Sequence, residues 1–148
     1  GCGNAHEAEY LFKKGFKNVF IVDFSNKALE NFKSRINNFP SEHMICNDFF
    51  KINGKYDLII EQTFFCAIQR NKRQKYASKT HSLLKKDGKL VGLLFDSPMY
   101  EDHPPFGGTS QEYKDYFSPF FKFKAFSPSY NSINSRKGKE LFINLVKK

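Results

Sequence analysis

Gly1-Cys2-Gly3-Asn4-Ala5-His6, taken together with Asn18-Val19-Phe20-Ile21-Val22-Asp23-Phe24, decides how the rest of the chain is read. A glycine pair opens a helical stretch, and a β-branched and aromatic run then ends on an acid. Asp23 stands 20 positions after Gly3. In a wound α/β sheet this layout marks a nucleotide-type site. Glycines let the backbone approach a ligand closely, and an acid at the end of the next strand accepts hydrogen bonds from ribose hydroxyls.

A dinucleotide fingerprint needs a third glycine, where this chain has His6, and it would use the helix N-terminus to hold a pyrophosphate. S-adenosylmethionine carries ribose and adenine without phosphate and can do without that glycine. The spacing therefore favours S-adenosyl-L-methionine over NAD. Gly1, Gly3, Asp23 and Phe24 are the first candidate cofactor residues.

A length of 148 residues fits one domain with a buried core. There is no run of 18 apolar residues, so no membrane span is expected. Cys2, Cys46 and Cys66 are odd in number and lack CxxC spacing, which suggests reduced thiols in a cytoplasmic protein. The four histidines have no partners at ligand spacing, and no metal is expected. The net charge of +9 comes from lysines spread over every segment, with only short clusters such as Lys72-Arg73-Gln74-Lys75. Solvated faces explain that distribution, which disfavours specific nucleic-acid binding but would draw anionic substrates. Eighteen phenylalanines and no tryptophan point to an aromatic core.

The pattern alternates strand and helix. His6 to Lys14 reads as a helix stopped by Gly15, and Val19 to Phe24 as a buried strand. Ser25 caps a helix carrying Ala28, Leu29, Phe32 and Ile36. Met44 to Asn47 and Tyr56 to Ile60 are strands. Arg73 to Lys86 is a helix with Tyr76, Ala77, Thr80, Leu83 and Leu84 inward, and Lys89 to Phe95 a further strand. A Pro- and Gly-rich loop spans Ser97 to Thr109, followed by a helix from Gln111 to Phe117. Phe121 to Phe126 and Glu140 to Val146 form a final antiparallel pair. The expected architecture is a doubly wound, mostly parallel α/β sheet. In such a sheet the strand feeding the glycine turn lies centrally, so a first strand before Gly1 is expected, with residues 1–148 an N-terminally incomplete single domain.

Asp23, Asp48, Glu61 and Asp96 all fall at or just past the carboxyl ends of these strands, the edge where open α/β sheets bind ligands. Asp48-Phe49 suits an adenine pocket, the carboxylate accepting from the exocyclic amine and the ring supplying a flat wall. Glu61 opens Glu61-Gln62-Thr63-Phe64-Phe65, where a reactive methyl would lie. An Asp/Asn-Pro-Pro-Tyr tetrapeptide there would mark an amino-methylating enzyme, and this chain has none.

With these residues in hand, the chain resembles the thiopurine S-methyltransferase family of class I S-adenosylmethionine-dependent methyltransferases. Gly1-Cys2-Gly3 is similar to its cofactor loop and Asp23 to its ribose acid. Glu61 through Ile68 is similar to its signature after the fourth strand, and His103-Pro104-Pro105-Phe106 to its substrate-side loop. The resemblance implies a Rossmann-like, seven-stranded sheet with one antiparallel strand. It also implies methyl transfer to a small thiol or other anionic soft nucleophile by in-line displacement. Arg73 corresponds to an active-site arginine of the family and takes the catalytic role, while Arg136 matches a second one. Phe64, Phe65, Pro105 and Phe106 would form the dry substrate wall. A monomer is expected.

Three other readings stay open on sequence. A halide or thiocyanate methyltransferase shares the same site logic. A nicotinamide-dependent oxidoreductase is disfavoured by the missing glycine. A non-catalytic nucleic-acid-binding module would use the basic charge.

Overall fold

The ten regular elements of the computed structural model, which describes residues 1–148, fall into two compact units, Gly1–Ile52 and Asn53–Lys148.

The first unit begins with α1 (His6–Lys13), whose end coincides with Gly15 in the left-handed region at φ 90°. The strand β1 (Ile21–Asp23) is shorter than the apolar run suggests, because its partner β2 (Met44–Cys46) offers only three residues to pair with. The two run parallel, joined by α2 (Asn26–Arg35), with Asp23 opposite Cys46. Ser25 caps α2 as expected, its hydroxyl accepting from the Ala28 amide at 3.3 Å. The core of this unit is apolar and aromatic. Phe39 stands edge-to-face with Phe12 at 5.0 Å and with Phe32 at 4.9 Å, over Ala8, Ile21 and Leu29.

The second unit is a four-stranded mixed sheet. Its strands are β3 (Tyr56–Gln62), β4 (Leu84–Phe95), β5 (Phe121–Pro128) and β6 (Glu140–Lys147), in the order β3-β4-β6-β5. β3 and β4 are parallel, while β6 runs antiparallel to both β4 and β5. The last strand thus inserts beside β4, and it is the one antiparallel member of this sheet. The helices are α3 (Arg73–Leu83) and α4 (Ser110–Phe117). β4 starts at Leu84, where the sequence pattern continues the helix to Lys86. Leu84 pairs with Tyr56, and the register then jumps so that Leu58 meets Lys89, with Asp87 at φ 60° inside the bulge. Leu84, Leu90, Leu94, Ile143 and Leu145 form the aliphatic side of the core. Phe65, Tyr76, Tyr113, Phe117 and Phe121 form the aromatic side, with ring centroids 5.2–6.4 Å apart.

All six strands read from the sequence are present. They form two hydrogen-bonded sheets, of two and four strands. No helix is long and apolar enough to cross a membrane.

Candidate functional site

In the first unit the glycine turn folds against the end of β1. The Gly1 nitrogen and the Cys2 amide both donate to the Val22 carbonyl, at 2.6 and 2.9 Å. The Gly3 amide then donates to Asp23 Oδ2 at 2.9 Å, and the Ser25 amide to Asp23 Oδ1, also at 2.9 Å. Asp23 is buried, and each carboxylate oxygen keeps acceptor capacity beyond the one amide it receives. Gly3 sits at φ 52°, and a Cβ built there would meet no protein atom within 4 Å. The space beside it is free for a ligand, so the conformation and the clearance both suit a close backbone approach.

The neighbouring strand delivers the other expected residues to the same edge. The Asn47 amide donates to the Asp23 carbonyl at 2.9 Å, placing Asp48 just beyond the paired strand ends. Asp48 is exposed and turns the chain by accepting from the Phe50 amide at 2.9 Å. Phe49 is half-buried and stands edge-to-face with Phe50 at 5.5 Å. Phe24, next to Asp23, exposes 78% of its surface. Gly1, Gly3, Asp23, Phe24, Asp48 and Phe49 are therefore brought to one end of a parallel strand pair, as the spacing predicts. Their donor set (an acid with free lone pairs, backbone amides and flat rings) fits an adenosyl group.

Glu61 departs from expectation. Its carboxylate is occupied: Oε1 accepts from the amides of Phe64 and Phe65 at 2.8 and 2.9 Å, and Oε2 from the Tyr76 hydroxyl at 2.6 Å. Burial pushes its pKa up against these hydrogen bonds. Glu61 builds the turn after β3, and its buried carboxylate is not free to take a cofactor.

The second unit carries an open cleft of about 350 Å³ lined by Thr63, Cys66, Ala67, Phe95, Pro104, Pro105 and Arg136. Its walls are mostly apolar, no carboxylate or imidazole lines it, and Arg136 is its single charged side chain. The guanidinium of Arg136 lies 5.4 Å from the Phe95 ring centroid and 3.4 Å from Glu140 Oε1, an acid that is itself buried. The Cys66 thiol donates to the Thr63 carbonyl at 3.1 Å, and burial, then the charge of Glu61, pushes its pKa up to about 11. Cys66 therefore stays a thiol and is no nucleophile. Thr63 holds φ 62°, a left-handed conformation rare for a β-branched residue.

Pro105 and Arg136 thus meet in the cleft as expected, whereas three other residues do not. Phe65 is buried among Tyr76, Tyr113 and Phe117 and forms core. Phe106 is buried and donates its amide to the Cys66 carbonyl at 2.7 Å. Phe64 is half-buried, its ring 6.0 Å from Tyr76 and outside the cleft lining.

The largest correction concerns Arg73. The side chain is fully buried, with Nη1 donating to the Gly107 carbonyl at 2.9 Å and Nη2 to the Phe106 carbonyl at 3.0 Å. Held in this way, the guanidinium does not line the cleft. Thr63, Cys66, Ala67, Phe95 and Pro104 also line the cleft, although none of them was expected there. Phe95 had a signal in its position at the end of β4, next to Asp96, and the others fall inside the two segments, Glu61 through Ile68 and His103 through Phe106, that carry the family resemblance.

Comparison with known proteins gives the fold class and the family. The fold is that of the class I S-adenosylmethionine-dependent methyltransferases. The TehB structure from Haemophilus influenzae matches with a TM-score of 0.77 at 17% identity, over 100% of this chain and 56% of that one. A TehB-like methyltransferase from Corynebacterium glutamicum matches with a TM-score of 0.76 at 17% identity, over 100% of this chain and 77% of that one. Residues 1–146 match the family model "Thiopurine S-methyltransferase (TPMT)", and the chain belongs to that family. Thiocyanate methyltransferase 1 of Brassica oleracea is 33% identical over 147 residues, covering 95% of this chain and 64% of the relative. A thiopurine S-methyltransferase of Photobacterium profundum is 24% identical over 132 residues, covering 78% of this chain and 62% of the relative. The chain thus spans under two thirds of the length of these curated relatives. Family membership does not favour the non-catalytic nucleic-acid module.

Proposed function

We infer that this protein is an enzyme that transfers a methyl group from S-adenosyl-L-methionine to a small thiol or similar soft anionic nucleophile. The observation that carries the reading is the Gly3 amide at 2.9 Å from Asp23 Oδ2, at the carboxyl end of a parallel strand pair. Asp23 would hold the ribose, Gly3 would leave room for the ligand, and Phe24, Asp48 and Phe49 would bracket the adenine. When bound, S-adenosylmethionine supplies a methyl group on a sulfonium, open to in-line displacement.

The cleft supports the acceptor class. With no base among its lining residues, the acceptor has to arrive already nucleophilic. Arg136 would attract and orient an anion, and Ala67, Phe95, Pro104 and Pro105 would keep water from it. A polarizable sulfur loses little on leaving water, whereas a strongly hydrated oxygen anion loses much. Thiocyanate, named for two of the plant relatives, belongs in the same acceptor screen.

The test is a calorimetric titration with S-adenosylhomocysteine, followed by a methyl-transfer screen over small thiols, thiopurines, thiocyanate and iodide. Binding by the wild type and a loss of at least about tenfold in Asp23→Asn are expected, since hydrogen bonds to a charged acceptor contribute about 1.5–3 kcal/mol. Equal affinity in both proteins would remove the reading.

A further inference from the structure

The glycine turn holds a strained backbone that its own residues do little to secure. Gly3 and Ala5 both sit in the left-handed region, at φ 52° and 50°, with Asn4 between them. A residue with a Cβ enters that region at a cost. Ala5 also stands at the N-cap of α1, where its methyl group cannot accept from the first helical amides. Locally the turn is closed by the Ala5 amide, which donates to the Cys2 carbonyl at 2.8 Å.

A second restraint comes from 31 positions away. Arg35, the last residue of α2, donates from Nη2 to the Asn4 carbonyl. The rest of its guanidinium is held as well. Nε donates to Glu9 Oε2 and Nη1 to the Asn31 carbonyl, each at 3.3 Å, and the guanidinium lies 5.7 Å from the centroid of the buried Phe32 ring. Glu9 is in turn fixed by Lys13, whose Nζ donates to Oε1 at 2.7 Å. The planar fork of arginine serves three oxygens at fixed angles, which the single ammonium of a lysine does not match.

We propose that Arg35 is the positioning residue of the donor turn: held by Glu9 and Phe32, it fixes the Asn4 carbonyl, keeps the Gly3 amide set against Asp23, and so sets donor affinity. This role rests on the reading of Gly3 and Asp23 as the donor site. Neither Arg35 nor Glu9 is assigned a contact with the donor. A turn that holds the binding geometry only part of the time loses apparent affinity by that fraction. The residues of the acceptor cleft belong to the other unit, Asn53–Lys148, so acceptor KM at saturating donor is left unchanged.

The test compares wild type, Arg35→Met, Arg35→Lys, Glu9→Gln and the double variant of Arg35→Met with Glu9→Gln. The Kd for S-adenosylhomocysteine is read by calorimetry at a temperature where each is folded, and acceptor KM at saturating donor. Arg35→Met is expected to raise that Kd about tenfold, as for a turn in its binding geometry about a tenth of the time. Acceptor KM should move by less than about twofold. Arg35→Lys should recover part of the loss. Glu9→Gln should show a smaller loss that disappears in the Arg35→Met background, the mark of two residues acting as one unit. A folded Arg35→Met with the wild-type Kd overturns the proposal, as does a Glu9→Gln effect carried in full into the double variant. A loss that falls equally on acceptor KM overturns it too, because a general loosening of the protein would do the same. If Arg35→Met does not fold, Arg35→Lys decides alone, and an unchanged Kd overturns the proposal. A wild type that binds no S-adenosylhomocysteine would instead remove the donor reading on which the role rests.

Discussion

The Tyr76 hydroxyl lies 2.6 Å from Glu61 Oε2, and both side chains are sealed from solvent. Glu61 also receives the amides of Phe64 and Phe65, so one buried carboxyl group ties α3 to the turn that starts the cleft. Tyr76→Phe deletes one donor and keeps the shape. A stability loss of about 1–3 kcal/mol is expected by urea denaturation, the cost of leaving a buried oxygen unsatisfied.

The same pair sets a pH dependence. Burial raises the pKa of Glu61 above its ordinary 4.5 in the folded protein. The folded state therefore holds this proton more tightly than the unfolded state. Its contribution to stability is full below the ordinary value and declines as pH rises through the raised one. Glu61→Gln removes the titration while keeping an acceptor for the two amides. Its melting temperature relative to wild type should climb as pH rises from about 4.5 upward. A difference independent of pH would refute the assignment.

Gly92 lies opposite Glu61 in the β3–β4 ladder, and a Cβ there would stand 2.0 Å from the Glu61 carbonyl oxygen. No flexible side chain can yield at that point, because the obstacle is backbone. Gly92→Ala should cost about 3 kcal/mol or prevent folding, read by denaturation or soluble yield. A variant as stable as wild type would show that the strands have room to separate.

Arg136 and Glu140 can be separated by a double variant. Arg136→Met should raise acceptor KM about tenfold with donor affinity unchanged, and it should also lose stability by stranding the buried Glu140. Adding Glu140→Gln should restore the stability but not the KM. Recovery of both would make the arginine a partner of Glu140 and nothing more.

Thr63 carries a left-handed backbone at the cleft, a conformation that costs non-glycine residues roughly 1–2 kcal/mol. Thr63→Gly is expected to raise the melting temperature by about 2–4 °C, even though glycine is more flexible when unfolded. A fall in melting temperature would mean that the threonine side chain stabilises the turn by more than the strain costs.

Much of the geometry proposed for the donor side was legible because it is local. Gly3 and Asp23 announce themselves by residue type, by spacing and by a strand between them, and Ser25 is a cap wherever it precedes such a helix. The acceptor side depends on contacts distant in sequence. Arg73 meets carbonyls 33 and 34 positions away, and a lysine-rich neighbourhood makes it look solvated. One signal was present: with Tyr76, Ala77, Thr80 and Leu83, Arg73 falls on the inward stripe of α3. Glu61 was read correctly as a strand-end acid, but its turn uses the carboxylate first. Phe65 and Phe106 show the limit of composition, since an aromatic residue suits a pocket wall and a core equally well until packing decides.

The residues proposed to hold the donor all lie within Gly1–Ile52, and those forming the cleft all lie beyond Asn53. If the proposed assignment holds, substitutions in the segments around Pro104-Pro105 and Arg136 would change which nucleophile is accepted without altering any residue proposed to hold the adenosyl group. On the proposed reading, acceptor choice and cofactor use would then be carried by different stretches of the chain, and each could be varied by substitutions that leave the other stretch's residues in place.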